Sequence, residues 1–507
     1  MSRKTLVTLV LVLTLLLPVG MSGASAAPAA QPGAAYTIKL GDTLWMLAEK
    51  YLGAGTAWPA IMALTNQKNV ADTTFARIEN ADLIYPGWKL WIPSADEAKT
   101  FLATYTPSKP EMLFGKRAKG QVVVASWWTA GGEAEGLKGL FDIYKAKYPD
   151  VEIVNATVAG GAGFVFRAVV KPRLIASDPP DTFQLHAGLE VEGYSPEQYL
   201  EPLDNIFASE GLEKVFPKDL LTLLKYKGHY WGVPVNIHRS NVLWYDKSIF
   251  ADAKLNPPTT FDEFFAVADA LKAKGIVPLV MGTSGGWEAG HVFESVLAGT
   301  CGAEKYKGLW TGAVPWTDGC VTQALQNYKR MLTYVNTDHP ALSWDGAGQY
   351  LINNKGAMII MGDWTNGWFQ SMNYTDYGWA PPPGTKGIFV ALSDSFSLPK
   401  KAPNRDNAIA WVQVCGSKAG QEAFNPKKGS ICARTDCDPK LFNAYLQSAM
   451  VDWSKDAIVP SVIHGAAAIE SWVTDFKDAI TLFLTSGDVA GTQKALQAAC
   501  VAAGACK

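Results

Sequence analysis

The chain has 507 residues, of which 48% are hydrophobic and 18% charged, which predicts about two to four domains with large cores. A formal net charge of −2, with no strongly basic block, excludes a nucleic-acid partner held by charge. The inventory of 18 Trp and 18 Tyr suits stacking against ligands, and serves a core equally well.

Residues 1–26 read as a secretory signal peptide. Arg3 and Lys4 form the charged start, 6–17 the apolar stretch, and Ala24-Ser25-Ala26 a small-residue cleavage site. The apolar stretch is short for a membrane span and no other run is long enough, so the mature protein is expected to be exported and soluble, periplasmic or extracellular. No cysteine lies near the cleavage site, so a lipid anchor is not expected. Residues 27–35 form a Pro/Ala tail, expected to be disordered.

All seven cysteines lie in the C-terminal half. Export permits disulfides, and three close pairs suggest themselves: Cys301–Cys320, Cys432–Cys437 and Cys500–Cys506. Cys415, in an apolar stretch, is then a buried thiol. A metal site competes with this pairing, but no C-x-x-C has zinc spacing. No metal and no cofactor is expected.

Residues 36–93 have their own punctuation. An alternating strand at 36–39 leads through Gly41-Asp42-Thr43 into a helix with Leu44, Leu47 and Tyr51. A second helix runs from Trp58 to Asn66, and a turn and closing strand occupy 84–93. The sequences Y-T-I-K-L-G-D-T-L-W and I-Y-P-G-W-K-L-W-I-P resemble the two ends of a LysM module, a small α+β unit of βααβ order. The stretch 67–82 is longer than is usual for that family. The resemblance implies a shallow groove at Gly41, Asp42 and Thr43 for N-acetylglucosamine chains such as peptidoglycan. Residues 94–119 read as a linker with a helical piece at 95–105.

From Gln121 onward strand and helix signals alternate: strand 122–126, helix 137–148, strand 151–158, helix 163–175 and strand 182–186. Further on come helix 261–274, strand 276–281, helices 323–335 and 347–354, and strand 358–361. Such alternation predicts parallel sheets covered by helices. The Pro-rich W-A-P-P-P-G of 379–384 reads as a crossover between lobes, and 460–506 as mostly helical. A body this large is expected to form two lobes.

The stretch Q-V-V-V-A-S-W-W-T-A-G-G-E (121–133) starts as a buried strand and delivers Trp127 and Trp128 into a glycine turn before Glu133 and a helix. Open α/β sheets bind ligands beyond the carboxyl ends of their strands. Indole faces beside a carboxylate suit a sugar; a core tryptophan pair explains the same stretch equally.

The blocks V-N-A-T-V-A-G-G-A-G, D-P-P-D-T-F-Q-L-H-A-G, Y-K-G-H-Y-W-G-V-P-V-N-I-H-R-S-N, M-G-D-W, L-S-D-S-F-S-L-P, F-N-P-K-K-G-S-I-C-A-R-T-D and V-I-H-G, in order from Val154 to Gly465, resemble the glucose/mannose-type substrate-binding proteins of ABC sugar importers. The resemblance spans about 120–500. It implies a two-lobed type II periplasmic-binding-protein clamp, with one lobe at about 120–237 and 377–412 and the other at about 238–376 and 413–507. It also implies a monomer that captures a glucose-like monosaccharide and presents it to permease subunits. By position in the matching blocks, the resemblance implies a sugar shell of Trp127, Trp128, Glu133, Gln184, His186, Asn236, His238, Trp344, Asp394, Lys428 and His464. Asp363 and Trp364 are further candidates. Carboxylates, amides, imidazoles and a lysine together satisfy hydroxyls as both donors and acceptors. A rival reading is a wall-associated glycan hydrolase using Glu133 with Asp394 or Asp363 as its acid/base pair. A purely structural wall protein is a third.

Overall fold

In a computed structural model of the chain, the described residues are 33–39, 42, 44–78, 84, 87–104 and 120–506. The signal-peptide reading, Gly41 and Thr43 lie outside them. The chain divides into two compact units, 1–108 and 109–507.

In the N-terminal unit, strand Ala34–Thr37 pairs antiparallel with Lys89–Ile92, and helices Leu44–Leu52 and Trp58–Ala71 lie between them in the chain. Leu44, Leu47, Ile61 and Leu90 are buried between these elements. The second helix runs past Asn66 to Ala71, which absorbs part of the long 67–82 stretch. Asn66 explains how the remainder is held: its side chain bonds both the N–H and the C=O of Ile78. The expected linker begins as helix Ala95–Thr104, which packs on the second helix and so belongs to the unit.

Among the described residues the larger unit has three sheets of three or more strands and a two-stranded ribbon of Lys225–Tyr226 with His229–Tyr230. The first orders its strands Val151–Asn155, Gly120–Ala125, Thr182–His186, Asp394–Ser397 and Val233–Pro234. Its first three strands are parallel, as the alternating pattern predicts, but Asp394–Ser397 is antiparallel to both of its neighbours, Thr182–His186 and Val233–Pro234. The second orders Val277–Val280, Gly356–Ile360, Leu243–Asp246 and Tyr377–Ala380. A small third sheet orders Ala457–Pro460, Ile388–Leu392 and His238–Arg239, and its last two strands lie in the chain between strands of the first two sheets.

That third sheet carries the chain from lobe to lobe. Outbound, the backbone runs from Val233–Pro234 through His238–Arg239 to Leu243–Asp246. Inbound, it runs from Tyr377–Ala380 through Ile388–Leu392 to Asp394–Ser397. The two crossing segments are hydrogen-bonded to each other, with Leu392 opposite His238.

Two expected lobe boundaries need correction. Tyr377–Ala380 pairs with Leu243–Asp246, so it is a strand of the second lobe and Trp379 is no crossover residue; the crossing comes after the prolines. Helix Lys418–Lys428 packs along Gly131–Lys147 and belongs with the first lobe. Both errors have one cause: chain order does not reveal which sheet a returning segment joins.

Three disulfides join Cys301 to Cys320, Cys432 to Cys437 and Cys500 to Cys506, and Cys415 is a buried thiol.

Candidate functional site

A cavity of about 500 Å³ opens where the first two sheets face each other across the crossing strands. That is room for a small polar ligand, within the ordinary range for binding clefts. Trp127, Glu133, His186, His238, Asp394 and Lys428 are on its wall, together with His464, Trp344 and Trp364.

Trp127 leaves the end of strand Gly120–Ala125 and tilts against the His186 ring, with centroids 4.8 Å apart. Trp128, the next residue, points the other way, as successive side chains of an extended segment must. It is 1% exposed and packs between Phe396 and Phe424, so the expectation that it lines the sugar site is corrected. Its backing role is still legible, since the Lys428 ammonium sits 5.8 Å from its ring.

Asp394 begins the strand on which the inbound crossing ends. One carboxylate oxygen accepts a bond from Gln184 Nε2 and the other from Asn236 Nδ2, each at 2.8 Å. Gln184 and Asn236 are therefore behind the wall, holding Asp394, and are not on the cavity surface as expected. Gln184 also accepts from the backbone N–H of Trp127 at 3.2 Å, tying the indole and the carboxylate together.

His238 sits between two acids. Its Nδ1 bonds Asp363, and its Nε2 is 3.2 Å from Asp394 Oδ2, an ion-pair contact without aligned hydrogen-bond geometry. Burial disfavours its charge, but the Asp363 carboxylate and its hydrogen bond hold the imidazole above its ordinary value. Burial likewise pushes the Asp363 carboxyl up, against the pull of the His238 and Lys428 charges. Asp363 itself stands behind the wall. Burial opposes the charge of Asp394 too, yet His238, Lys428 and His186 hold its carboxyl far below the usual range.

Lys428 is the last residue of helix Lys418–Lys428 and is 2% exposed. Its Nζ lies 2.8 Å from Glu133 Oε1, so two residues distant in the chain form one donor–acceptor edge. Gly132 explains the fit. A Cβ there would stand 2.4 Å from the Lys427 carbonyl oxygen and 2.7 Å from the Gly367 backbone, so only glycine allows helices Gly131–Lys147, Trp364–Ser371 and Lys418–Lys428 to close up.

The second lobe supplies rings. Trp364 lies 5.2 Å from His464 and 6.1 Å from Trp287, and Trp344 is 5.8 Å from Trp368. Trp287, Glu288 and Trp368 line the cavity and were missed in the sequence. A signal was present: Gly285-Gly286-Trp287-Glu288 opens a helix with the same residue types as Trp127 to Glu133. Glu288 is fully buried and its carboxyl is pushed up to about 7 by burial, with Asp345 adding to the rise against nearby backbone N–H groups. In the N-terminal unit, Asp42 accepts from Tyr36 OH at 2.8 Å and from the Lys39 N–H at 2.7 Å.

Indole walls, a buried carboxylate held by amides and a charge-paired edge, set where crossing strands join two lobes, define a ligand-binding clamp of the periplasmic-binding-protein type. A profile described as bacterial extracellular solute-binding protein matches residues 124–422, and the LysM domain profile matches 36–93. An uncharacterized ABC transporter extracellular-binding protein of Pyrococcus horikoshii is 35% identical over 376 residues, covering 73% of this chain and 85% of the relative. A probable sugar-binding periplasmic protein of Brucella suis is 32% identical over 359 residues, covering 69% of this chain and 84% of the relative. The fold is that of the solved bacterial solute receptor AcbH, described as having an exclusive preference for β-D-galactopyranose, with TM-score 0.68 and 20% identity over 76% of this chain and 99% of that one. The chain belongs to the bacterial extracellular solute-binding protein family and carries a LysM domain.

Proposed function

We propose that this chain is an exported receptor that captures a glucose-like monosaccharide between its lobes and delivers it to the permease of an ABC importer. The observation that carries this is the Asp394 centre: a buried, ionised carboxylate with amide, imidazole and lysine partners, open to a cavity walled by indoles. Each ligand hydroxyl finds there a charged or polar partner, and charge-assisted bonds are the stronger ones. A sugar that leaves one of these groups unpaired forfeits about 1–3 kcal/mol, the source of discrimination between epimers. Contacts from the second lobe, chiefly Trp287, Trp344 and Trp364, favour the closed clamp once a sugar is bound. The Brucella relative, named as sugar-binding, supports the reading.

Calorimetric titration with glucose, galactose, mannose, xylose and short glucans tests it. Binding of one hexose is expected; no binding to any of them would sink the proposal. A hydrolase using Glu133 and Asp394 is disfavoured, because Asp394 is held ionised and cannot serve as the proton donor, and Glu133 Oε1 is engaged by Lys428 Nζ at 2.8 Å. Glu288 is the wall carboxyl suited to such a donor, and cleavage of labelled oligosaccharide by the pure protein would favour the hydrolase.

The LysM domain gives the receptor a second task in this reading: affinity for peptidoglycan that keeps it near its permease. Deleting residues 36–93 should abolish peptidoglycan pull-down while leaving sugar binding in place. Unchanged pull-down would remove the wall-retention role.

A further inference from the structure

Glu294 lies in the middle of helix Glu288–Thr311, fully buried, one layer behind the cavity. Four groups converge on its carboxylate. The hydroxyls of Ser240 and Ser461 each stand 2.9 Å from Oε1, and the backbone N–H groups of Val462 and Ile463 stand 2.6 and 3.1 Å from Oε2. Ser461 directly follows strand Ala457–Pro460, and the chain then turns back on itself, with the Gly465 N–H bonding the Val462 carbonyl at 2.9 Å. The turn is wrapped around the carboxylate.

His464 sits on this turn and on the cavity wall. Its Nδ1 is 2.8 Å from the Ser461 hydroxyl oxygen. A serine hydroxyl has one proton to give. An ionised carboxylate only accepts, so it takes that proton, and the bond between Ser461 and His464 forms only when Nδ1 carries the ring's proton and donates it. Burial, together with the neighbouring His291, His186 and His238, holds His464 well below its ordinary value, so the ring is neutral. A neutral ring protonated at Nδ1 has a bare lone pair at Nε2, which has no hydrogen-bond partner among the described residues.

His291, Glu294 and His464 have ligand-type atoms within 4.8 Å of one another, a grouping that would suit a metal ion. The two serine hydroxyls stand between them, however, and Ser240 bridges Glu294 to His291 Nδ1 at 2.9 and 3.3 Å, as Ser461 bridges it to His464. The geometry is that of a hydrogen-bonded chain.

We infer that Glu294, acting through the Ser461 hydroxyl, is a positioning residue that fixes His464 as its Nδ1–H tautomer, so that Nε2 meets the captured ligand as the acceptor for one hydroxyl. The ligand part of this inference rests on the sugar reading of the cavity; the tautomer does not. His464 thereby selects for a hydroxyl with a free proton, and rejects a sugar deoxygenated or O-methylated at that position. Burial pushes the Glu294 carboxyl up to about 7, with Ser240, Ser461, His291, His464 and Tyr306 facing it, so the arrangement is read on its alkaline side.

The test is nitrogen NMR of the full chain labelled at histidine, without ligand, at about pH 8.5, with the His464 signals assigned from His464→Asn. An unprotonated Nε2 and a protonated Nδ1 are expected. Ser461→Ala should lose that preference and weaken sugar binding about tenfold, the worth of one well-made hydrogen bond. Glu294→Gln should do the same if it folds. An Nε2–H tautomer in the parent chain overturns the inference, as do an unchanged tautomer and affinity in Ser461→Ala. Histidine signals that change when a chelator is added overturn it in favour of a bound cation. The expected tautomer in a chain that binds no sugar upholds the Glu294–Ser461–His464 chain and sinks the sugar reading instead.

Discussion

Nε2 of His238 lies 3.2 Å from Oδ2 of Asp394, and both side chains are buried where the chain crosses between lobes. One residue stands on the outbound crossing and the other at the end of the inbound one, so the contact ties the two crossing segments together at the cavity wall. Asp394→Asn keeps the shape but removes the charge that His238, Gln184 and Asn236 surround. Sugar affinity is expected to fall at least about a hundredfold, since a charge-assisted contact is lost and donors are left facing donors. Calorimetry on the variant, with circular dichroism to confirm the fold, checks this; affinity within a factor of about three of the parent would refute it.

The two adjacent tryptophans should separate cleanly. Trp127→Ala is expected to weaken sugar binding by about tenfold or more and to cost less stability than Trp128→Ala, since its ring packs on Phe166 on one side but lines the cavity on another. Trp128→Ala removes a ring sealed between Phe396 and Phe424 and should cost about 3–5 kcal/mol of stability. Denaturant unfolding alongside calorimetry distinguishes them. The reverse pattern would mean that the wall has been misplaced.

Three buried groups, His238, Glu294 and Asp394, set how stability depends on pH. His238 is held above its ordinary value of 6.5, so its contribution is fully present below that pH and is lost as pH rises through its higher folded value. Glu294, raised to about 7, acts with the same sign from its ordinary 4.5 upward. Asp394 has the opposite sign: its contribution is present above 3.8 and fades only in strong acid. The ligand-free protein should therefore lose stability from pH 6.5 into the alkaline range. In His238→Gln that part of the slope should disappear, and melting curves across the range would show whether it does.

Gly367 offers a mechanical test of the clamp. A Cβ there would stand 2.4 Å from the Lys428 carbonyl oxygen and 2.5 Å from that of Lys427. Gly367→Ala should push helix Trp364–Ser371 off Lys418–Lys428, costing about 1–3 kcal/mol and weakening sugar binding, because Trp364 and Lys428 face the cavity from those two helices. An alanine variant with the parent's melting midpoint and affinity would refute the close-approach argument.

Much of the fold is legible in the sequence. The period-2 and helical patterns placed Thr182–His186 and Phe261–Ala273 within a residue, because buried strands and amphipathic helices write their own spacing into the chain. The three cysteine pairs could be read from closeness and export. Resemblance to a family brought together the residue types of the cavity, among them Glu133, Asp394, Lys428 and His464.

What the linear sequence by itself determined about this protein was thus its local elements, its cysteine pairs and the chemical inventory of its site. Tertiary structure alone decided which of those residues face the ligand. Trp127 and Trp128 are adjacent in sequence and differ only in the side to which the strand end turns them. Gln184, Asn236 and Asp363 have the chemistry of sugar ligands but stand one layer back, where their bonds go to Asp394 and His238. The same limit hid Trp287 and Glu288, and sent Tyr377–Ala380 to the second sheet. Orientation and partner choice come from packing between segments hundreds of residues apart, and no local spacing encodes them.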